Sequence, residues 1–157
     1  MRAAVLTVSD GVSAGTRDDL SGDLLADRLV GAGFELTERR TVSDDADAIE
    51  EALRDLAAAA ELVLTTGGTG FAPRDVTPEA TARVVERATP GLDEHMRAVS
   101  IAASPHGMLS RGRSGIAGSA LIVNFPGSPR ACGELFDAVA PALDHGLKLL
   151  LDLPTAH

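Results

Sequence analysis

Glycines and threonines at residues 65–70 form the segment that points most directly to chemistry. The segment reads TTGGTG, and its three glycines let the backbone turn tightly and approach a ligand with no Cβ in the way. Successive N–H groups in such a turn form an anion-binding nest. The spacing fits neither GxGxxG nor the P-loop, since no Gly-Lys-Ser/Thr follows. Gly67, Gly68, Thr69 and Gly70 are therefore candidate phosphate ligands, and a plain strand-to-helix turn is the alternative.

Asp75 follows these glycines in a polar loop and is the first candidate for a metal ligand. A carboxylate beside a phosphate nest repels its ligand unless a cation lies between them, which indicates Mg²⁺ held by Asp75 and phosphate oxygens. Asp44 and Asp45 follow the second predicted strand, and periodicity does not decide which is a second site carboxylate. The plainer alternatives are helix capping for this pair and a surface ion pair with Arg74 for Asp75.

Other polar residues lie where predicted elements begin or end. They are Ser9, Asp10, Asp19, Ser21, Ser110 and Arg111. Asp19 and Ser21 could simply cap a helix, whereas Arg111 is one of the few cations near the presumed site and could meet an anionic ligand.

Histidine and cysteine patterns exclude several other kinds of site. The four histidines, which include the terminal His157, show neither HxH nor HExxH spacing, so a zinc site is not indicated. No GxSxG motif supports a Ser–His–Asp triad. The single cysteine, Cys132, excludes an internal disulfide and is expected to be a small buried residue.

The elements that must position these residues alternate between strands and helices. Strands are predicted at 2–8, 34–42 and 62–66, with a pair formed by Ile116 and 121–123 around Gly118. Amphipathic helices are predicted at 20–29, which Gly31 and Gly33 end, and around 49–60. A further helix is expected to have Thr77 as N-cap and Pro78 in its first turn, with Val85 and Ala88 on its apolar face and a break at Pro90. The last helices are predicted at about 93–103 and from Ser128 onward.

This alternation predicts a single α/β domain over 1–157, with a mostly parallel sheet covered by helices on both faces. Ligands in such folds bind at the carboxyl ends of the strands. The turns at 9–11, 67–70 and 125–128 all follow predicted strands, so we expect them to share one edge of the sheet.

Composition limits the possible partners. With 157 residues, 45% of them hydrophobic, the chain is long enough for one sizeable core. A net charge of -9 and a lack of Trp and Tyr argue against general nucleic-acid binding. No apolar run approaches the ~20 residues of a membrane span, and the first residues resemble a strand more than a signal peptide, so a cytoplasmic location is expected.

Together, these segments resemble the molybdenum cofactor biosynthesis family. The resemblance rests on TVSD at 7–10 with Asp19 and SG at 21–22, on TTGGTG at 65–70, and on PRDVTPEAT at 73–81. LSR at 109–111, GI at 115–116 with Gly118, and LIVNFPGS at 121–128 agree with it. It covers nearly the whole chain and is greatest for the MogA type and the G domains of gephyrin and its plant counterpart, with MoaB proteins as close cousins.

The resemblance implies transfer of AMP from ATP to the terminal phosphate of molybdopterin, with Mg²⁺ as cofactor and release of pyrophosphate. It also implies a homotrimer that passes its product to a molybdenum-inserting protein. The alternatives are a MoaB-like or gephyrin-like module that binds molybdopterin without adenylyl transfer and, third, a nucleotide phosphohydrolase on a similar sheet.

Matched position by position, the resemblance makes Asp75 and then Asp44 catalytic, with Asp75 as the Mg²⁺ ligand. The residues implied around the nucleotide are Ser9, Asp10, Asp19, Ser21, Gly67, Gly68, Thr69 and Gly70. Those implied on the molybdopterin side are Ser110, Arg111, Pro126 and Gly127. Since a phosphate nucleophile is largely ionised near neutrality, the carboxylates are assigned to metal binding and positioning, not to proton abstraction.

Overall fold

A computed structural model describes residues 1–155, so His157 lies outside the described residues. The strands are Arg2–Val8 (β1), Glu35–Val42 (β2), Leu62–Thr66 (β3), Arg87–Ala88 (β4), Ser114–Ala117 (β5) and Ala120–Phe125 (β6). The helices are Asp10–Ser13 (α1), Leu20–Gly31 (α2), Ala46–Ala59 (α3), Thr77–Val84 (α4), Pro90–Ala103 (α5) and Pro129–Leu150 (α6), with a 3₁₀ helix at Pro105–Leu109.

The strands form one mixed sheet in the order β2-β1-β3-β6-β5-β4. β2, β1, β3 and β6 are parallel, whereas β5 runs antiparallel to both β6 and β4. The central strands are buried along nearly their whole length, as their continuous apolar sequences require of a sheet covered on two sides. The predicted mostly parallel α/β sheet is confirmed.

Two apolar cores lie on opposite faces of this sheet. Consecutive strand residues point to opposite faces, so Val5 packs in one core and Leu6 in the other. The first core lies beneath α2, α5 and α6, and the second lies beneath α3 and α4. Helices therefore cover both faces, as predicted. Within residues 1–155, no helix has the length and apolarity to cross a membrane.

Three details of the predicted helices are wrong. α4 ends at Val84, because Glu86 N donates a 2.9 Å hydrogen bond to Ile116 O and the chain then pairs with β5 as β4. Ala88 therefore lies in a strand, and Val85 lies just outside the helix. Pro90 begins α5 instead of ending the previous helix, since a residue without an N–H is tolerated in a first helical turn.

Thr77 is also not the N-cap of α4. The cap position belongs to Val76, which makes no side-chain capping bond, and Thr77 is the first helical residue. Its Oγ1 instead donates a 2.9 Å hydrogen bond to Gly67 O. The hydroxyl therefore holds the glycine turn in place.

Candidate functional site at the carboxyl edge of the sheet

The polar turns meet at one edge because the strands before them are parallel and in register. Thr7 of β1 pairs with Thr66 of β3, and Thr66 pairs with Phe125 of β6. Beyond these pairs, Gly67 N donates to Phe125 O at 3.2 Å, so the next turns stay adjacent. The predicted convergence of the turns after β1, β3 and β6 is present.

The turn after β3 requires glycine at two consecutive positions. Gly67 and Gly68 have φ values of +97° and +64°, in the region that L side chains rarely adopt. A Cβ on Gly67 would lie 2.2 Å from Val8 O, and one on Gly68 would lie 2.4 Å from Thr77 Oγ1. Thr77 is fully buried, and its N–H also donates to Gly68 O at 3.1 Å. The sequence therefore fixes a close-packed turn whose amides lie at the sheet edge.

A first cleft of about 570 Å³ opens beside this turn. The residues that line it come from four separate segments of the sequence. Among the predicted residues, its lining contains Ser9, Ser21, Asp44, Gly67, Gly68, Asp75 and Gly127. Thr7, Thr66, Ser128 and Pro129 complete much of the remaining wall. Both proposed catalytic carboxylates thus face the same space as the glycine turn.

Hydrogen bonds between Asp10 and Asp44 join the start of α1 to the segment that follows β2. Asp44 Oδ2 accepts a 2.8 Å hydrogen bond from Asp10 N, and Asp10 Oδ1 accepts a 3.0 Å bond from Asp44 N. Arg74 donates to both Asp10 oxygens, at 2.6 and 2.9 Å. This guanidinium lowers the pKa of Asp10, so that carboxylate is committed to a surface ion pair.

Asp44 and Asp75 differ from Asp10, because neither carboxylate forms an ion pair with any of residues 1–155. Burial raises the pKa of Asp44, and the charges of Asp10 and Asp75 raise it further. Asp75 Oδ2 accepts a 3.0 Å bond from Ala72 N, which fixes the carboxylate beside Gly70. Asp44 and Asp75 thus line one cleft without an ion-pair partner among residues 1–155, and a cation held by both would offset their charges.

These residues fit Mg²⁺ with a small protein ligand set. No cluster of three or more His, Cys, Asp or Glu side chains suited to a metal occurs within the described part of the chain. Mg²⁺ is usually held by one or two carboxylates together with waters and substrate phosphates. Asp75 and Asp44 supply that number of carboxylates at the cleft.

The structure separates the two aspartates that periodicity left undecided. Asp45 Oδ1 accepts a 2.9 Å bond from Ala48 N and caps α3. Asp44 is the one that lines the cleft. Asp19 likewise caps α2 through Gly22 N at 3.1 Å. Neither Asp10 nor Asp19 belongs to the described lining of the first cleft.

A second cleft of about 400 Å³ adjoins the first. Its lining includes Thr69, Gly70, Ser110 and Pro126, and Ser128 lines both clefts. The residues predicted for the molybdopterin side therefore lie in two clefts. Ser110 and Pro126 line the second cleft, whereas Gly127 lines the first.

Arg111 was predicted to meet an anionic ligand, but its guanidinium binds groups of the protein itself. Its guanidinium donates to Gly70 O at 2.7 Å, to Asp75 O at 2.6 Å and to Glu79. It is absent from the described lining of both clefts. The side chain therefore fixes the loop that carries Asp75.

Sequence reasoning missed Arg17 and Asp18, which also line the first cleft. They lie between α1 and α2, and α1 is a four-residue helix too short to show periodicity. Gly15, with a φ of +73°, marks a turn just before them, but a turn alone does not place their side chains at the cleft.

Fold and site together define an open α/β protein with a polar cleft at the carboxyl edge of its sheet, which is where ligands bind in such folds. A family model described as a probable molybdopterin binding domain matches residues 4–145. The chain belongs to this family, the molybdenum cofactor biosynthesis family that includes MogA and MoaB proteins.

Individual relatives cover the chain almost completely. A molybdopterin adenylyltransferase of Helicobacter pylori is 40% identical over 151 residues, which are 94% of this chain and 86% of that protein. Molybdenum cofactor synthesis protein cinnamon of Drosophila melanogaster is 43% identical over 152 residues, and the chain spans 25% of its length. The crystal structure of MoaB from Thermus thermophilus superposes with a TM-score of 0.91 at 42% identity, covering 98% of both chains.

Proposed function

We propose that this protein is a molybdopterin adenylyltransferase, which transfers AMP from ATP to the terminal phosphate of molybdopterin and releases pyrophosphate. The relatives that carry this name support the proposal, since they are about 40% identical over at least 90% of the chain. The observation that carries it is that Asp44, Asp75 and the Gly67–Gly68 turn line one cleft.

Two adjoining clefts suit a reaction between two anionic substrates. The nucleotide takes the first cleft, where backbone amides and the hydroxyls of Ser9 and Ser21 face its phosphates. Molybdopterin takes the second, which reaches from Ser110 to Ser128. Because Ser128 lines both clefts, its surroundings are where the two phosphate groups meet.

The reaction needs alignment and charge neutralisation more than proton transfer. A phosphate oxygen of molybdopterin forms a bond to the α-phosphorus of ATP, and the bond from that phosphorus to the β-phosphate oxygen breaks. Asp75 and Asp44 are positioned to hold Mg²⁺, which when bound offsets negative charge on the phosphates. The buried hydrogen bonds from Thr77 keep the turn rigid, so its amides stay aligned during transfer.

A binding module without adenylyl transfer is the second candidate. It is favoured by the similarity to the Thermus protein called MoaB and by the family description, which names molybdopterin binding.

The proposal extends to assembly and location. We infer a single domain over 1–157, a homotrimer in solution, transfer of the product to a molybdenum-inserting protein, and a cytoplasmic location. Light scattering on the purified protein measures the assembly state and is independent of the activity assay.

The decisive experiment measures pyrophosphate released by the pure protein with molybdopterin, ATP and Mg²⁺. Asp75→Asn removes one charge but keeps an oxygen that can accept from Ala72 N, so the fold should be retained. We expect about a 100-fold loss of rate, the scale on which a positioned electrostatic group acts.

Asp45→Asn is the matched control. It makes the same chemical change thirty residues away in sequence, at a position where Asn also caps a helix well. It should leave the rate unchanged. Molybdopterin binding with no pyrophosphate from the natural sequence would favour the module, and full activity in Asp75→Asn would remove Asp75 from the machinery.

A further inference from the structure

The first cleft has an unfavourable charge balance for the ligand proposed to occupy it. Within the described lining, Asp18, Asp44 and Asp75 are acidic and Arg17 is the one basic side chain. A nucleoside triphosphate adds several further negative charges to this space. A divalent cation between the carboxylates offsets only part of this negative charge. A basic side chain at the cleft therefore has a large effect on the affinity for the nucleotide.

Neighbouring arginines are already committed to carboxylates. Arg74 is held by both oxygens of Asp10, and Arg39 donates to Asp19 at 3.1 Å and to Asp23 at 2.6 Å. Arg17 differs, since it forms no ion pair or side-chain hydrogen bond with residues 1–155. Its guanidinium can therefore bind an incoming anion without first breaking an internal contact.

The stem of Arg17 lies against the start of α1, although the residue is exposed. A Cβ added to Gly11 would lie 3.3 Å from Arg17 Cβ and 3.6 Å from its Cδ, so the stem runs close over the α1 backbone. The preceding residue is anchored too, because Thr16 N and Oγ1 both donate to Gly11 O, at 2.9 and 3.1 Å. Packing of the stem reduces the conformational freedom that binding must remove.

We propose that Arg17 is a substrate-binding residue that contacts the phosphate oxygens of the nucleotide in the first cleft. The proposal rests on the function inferred above, because that function assigns ATP to this cleft. Arg17 supplies a charge-assisted hydrogen bond and acts on substrate affinity, whereas Asp75 and Asp44 act on the transfer step.

The test compares Arg17→Ala, Arg17→Lys and Arg87→Ala by titration calorimetry with Mg²⁺ and ATP. Arg87 is the matched control, since it is an exposed arginine on the edge strand β4, unpaired among residues 1–155 and outside the described lining of the cleft. We expect Arg17→Ala to weaken ATP binding about tenfold, Arg17→Lys to recover part of the loss, and Arg87→Ala to bind normally. Arg17→Ala should also bind ATP with a weaker dependence on salt, and its KM for ATP should rise while kcat changes little.

Several results would overturn this assignment. They are unchanged ATP affinity in Arg17→Ala, an equal loss in Arg87→Ala, and a natural sequence that does not bind ATP. An equal unfolding midpoint in all three variants shows that a loss is not caused by misfolding. If ATP binds and Arg17→Ala weakens it but no pyrophosphate is formed with molybdopterin, the proposed transferase activity fails and the role of Arg17 stands.

Discussion

Gly68→Ala provides a sharp test of the close-packed turn at the sheet edge. The substitution has two costs in this structure. The residue must keep a φ of +64°, and the added Cβ would lie 2.4 Å from Thr77 Oγ1 and 3.2 Å from Asp44 Oδ1. Thr77 cannot move aside cheaply, because it is fully buried and its hydroxyl donates to Gly67 O.

Gly33→Ala separates these two costs. Gly33 follows α2 with a φ of +86°, and a Cβ there would meet nothing within 4 Å. Left-handed backbone alone costs an L residue about 1–2 kcal/mol. Crowding in a packed site adds about 1–3 kcal/mol. Gly33→Ala should therefore lose about 1–2 kcal/mol of unfolding free energy, and Gly68→Ala about 2–5 kcal/mol.

Urea unfolding of both variants measures the difference, and ATP titration measures its effect on the cleft. Gly68→Ala should bind ATP more weakly than Gly33→Ala, because relief of the clash displaces the turn amides or Asp44. Equal unfolding free energies for the two variants would refute the argument that Thr77 and the turn are tightly packed together.

Three further outcomes are expected. Thr77→Val should lower the unfolding free energy by about 1–3 kcal/mol, because Gly67 O loses its buried hydrogen-bond donor. Thr77→Ser keeps the hydroxyl and should lose much less. Equal losses of the two variants in urea unfolding would contradict a stabilising role for the hydroxyl. Hydrogen bonds from Arg2 lower the pKa of Glu61 below 4.5 in the folded state, so the pair stabilises the protein above that pH and the effect disappears as pH falls through the lowered pKa. Glu61→Gln should thus destabilise at pH 7 by about 1 kcal/mol or less, and the loss should become smaller as the pH falls through the lowered pKa. A loss that does not vary with pH would contradict this. Burial raises the pKa of Cys132 to about 11, so a thiol reagent at pH 8 should react only after unfolding, and rapid labelling of the folded protein would be contrary evidence.

The layered fold was predictable because its signals are local. The apolar strand Leu62–Thr66 and the amphipathic stripe of α3 depend on residue order within a short window. The end of α4 depends on contacts distant in sequence. Val85 continues the helical apolar pattern but packs on Gly115, where an added Cβ would lie 2.1 Å from Val85 Cγ1. Local periodicity contains no information about that contact.

The candidate site was predictable in position and less so in detail. Parallel strands bring their following turns together, so Gly67, Gly68, Asp44 and Asp75 could be expected at one edge. Which aspartate caps α3 and which faces the cleft depends on backbone direction at a helix start, and the sequence of two adjacent aspartates contains no such signal. The role proposed for Arg17 could not be expected from the sequence, because it rests on the ion pairs of Arg39 and Arg74, which only the three-dimensional structure reveals.

The strand order leaves β2 and β4 at the two margins of the sheet. An unprotected margin offers free backbone groups to which another chain can add a strand, and this is a common beginning of aggregation. β2 carries Glu35, Glu38, Arg39 and Arg40 along its length, and β4 has only two residues, both exposed. Charge discourages strand addition at one margin and shortness does so at the other, so the protein should resist edge-to-edge polymerisation even at high concentration.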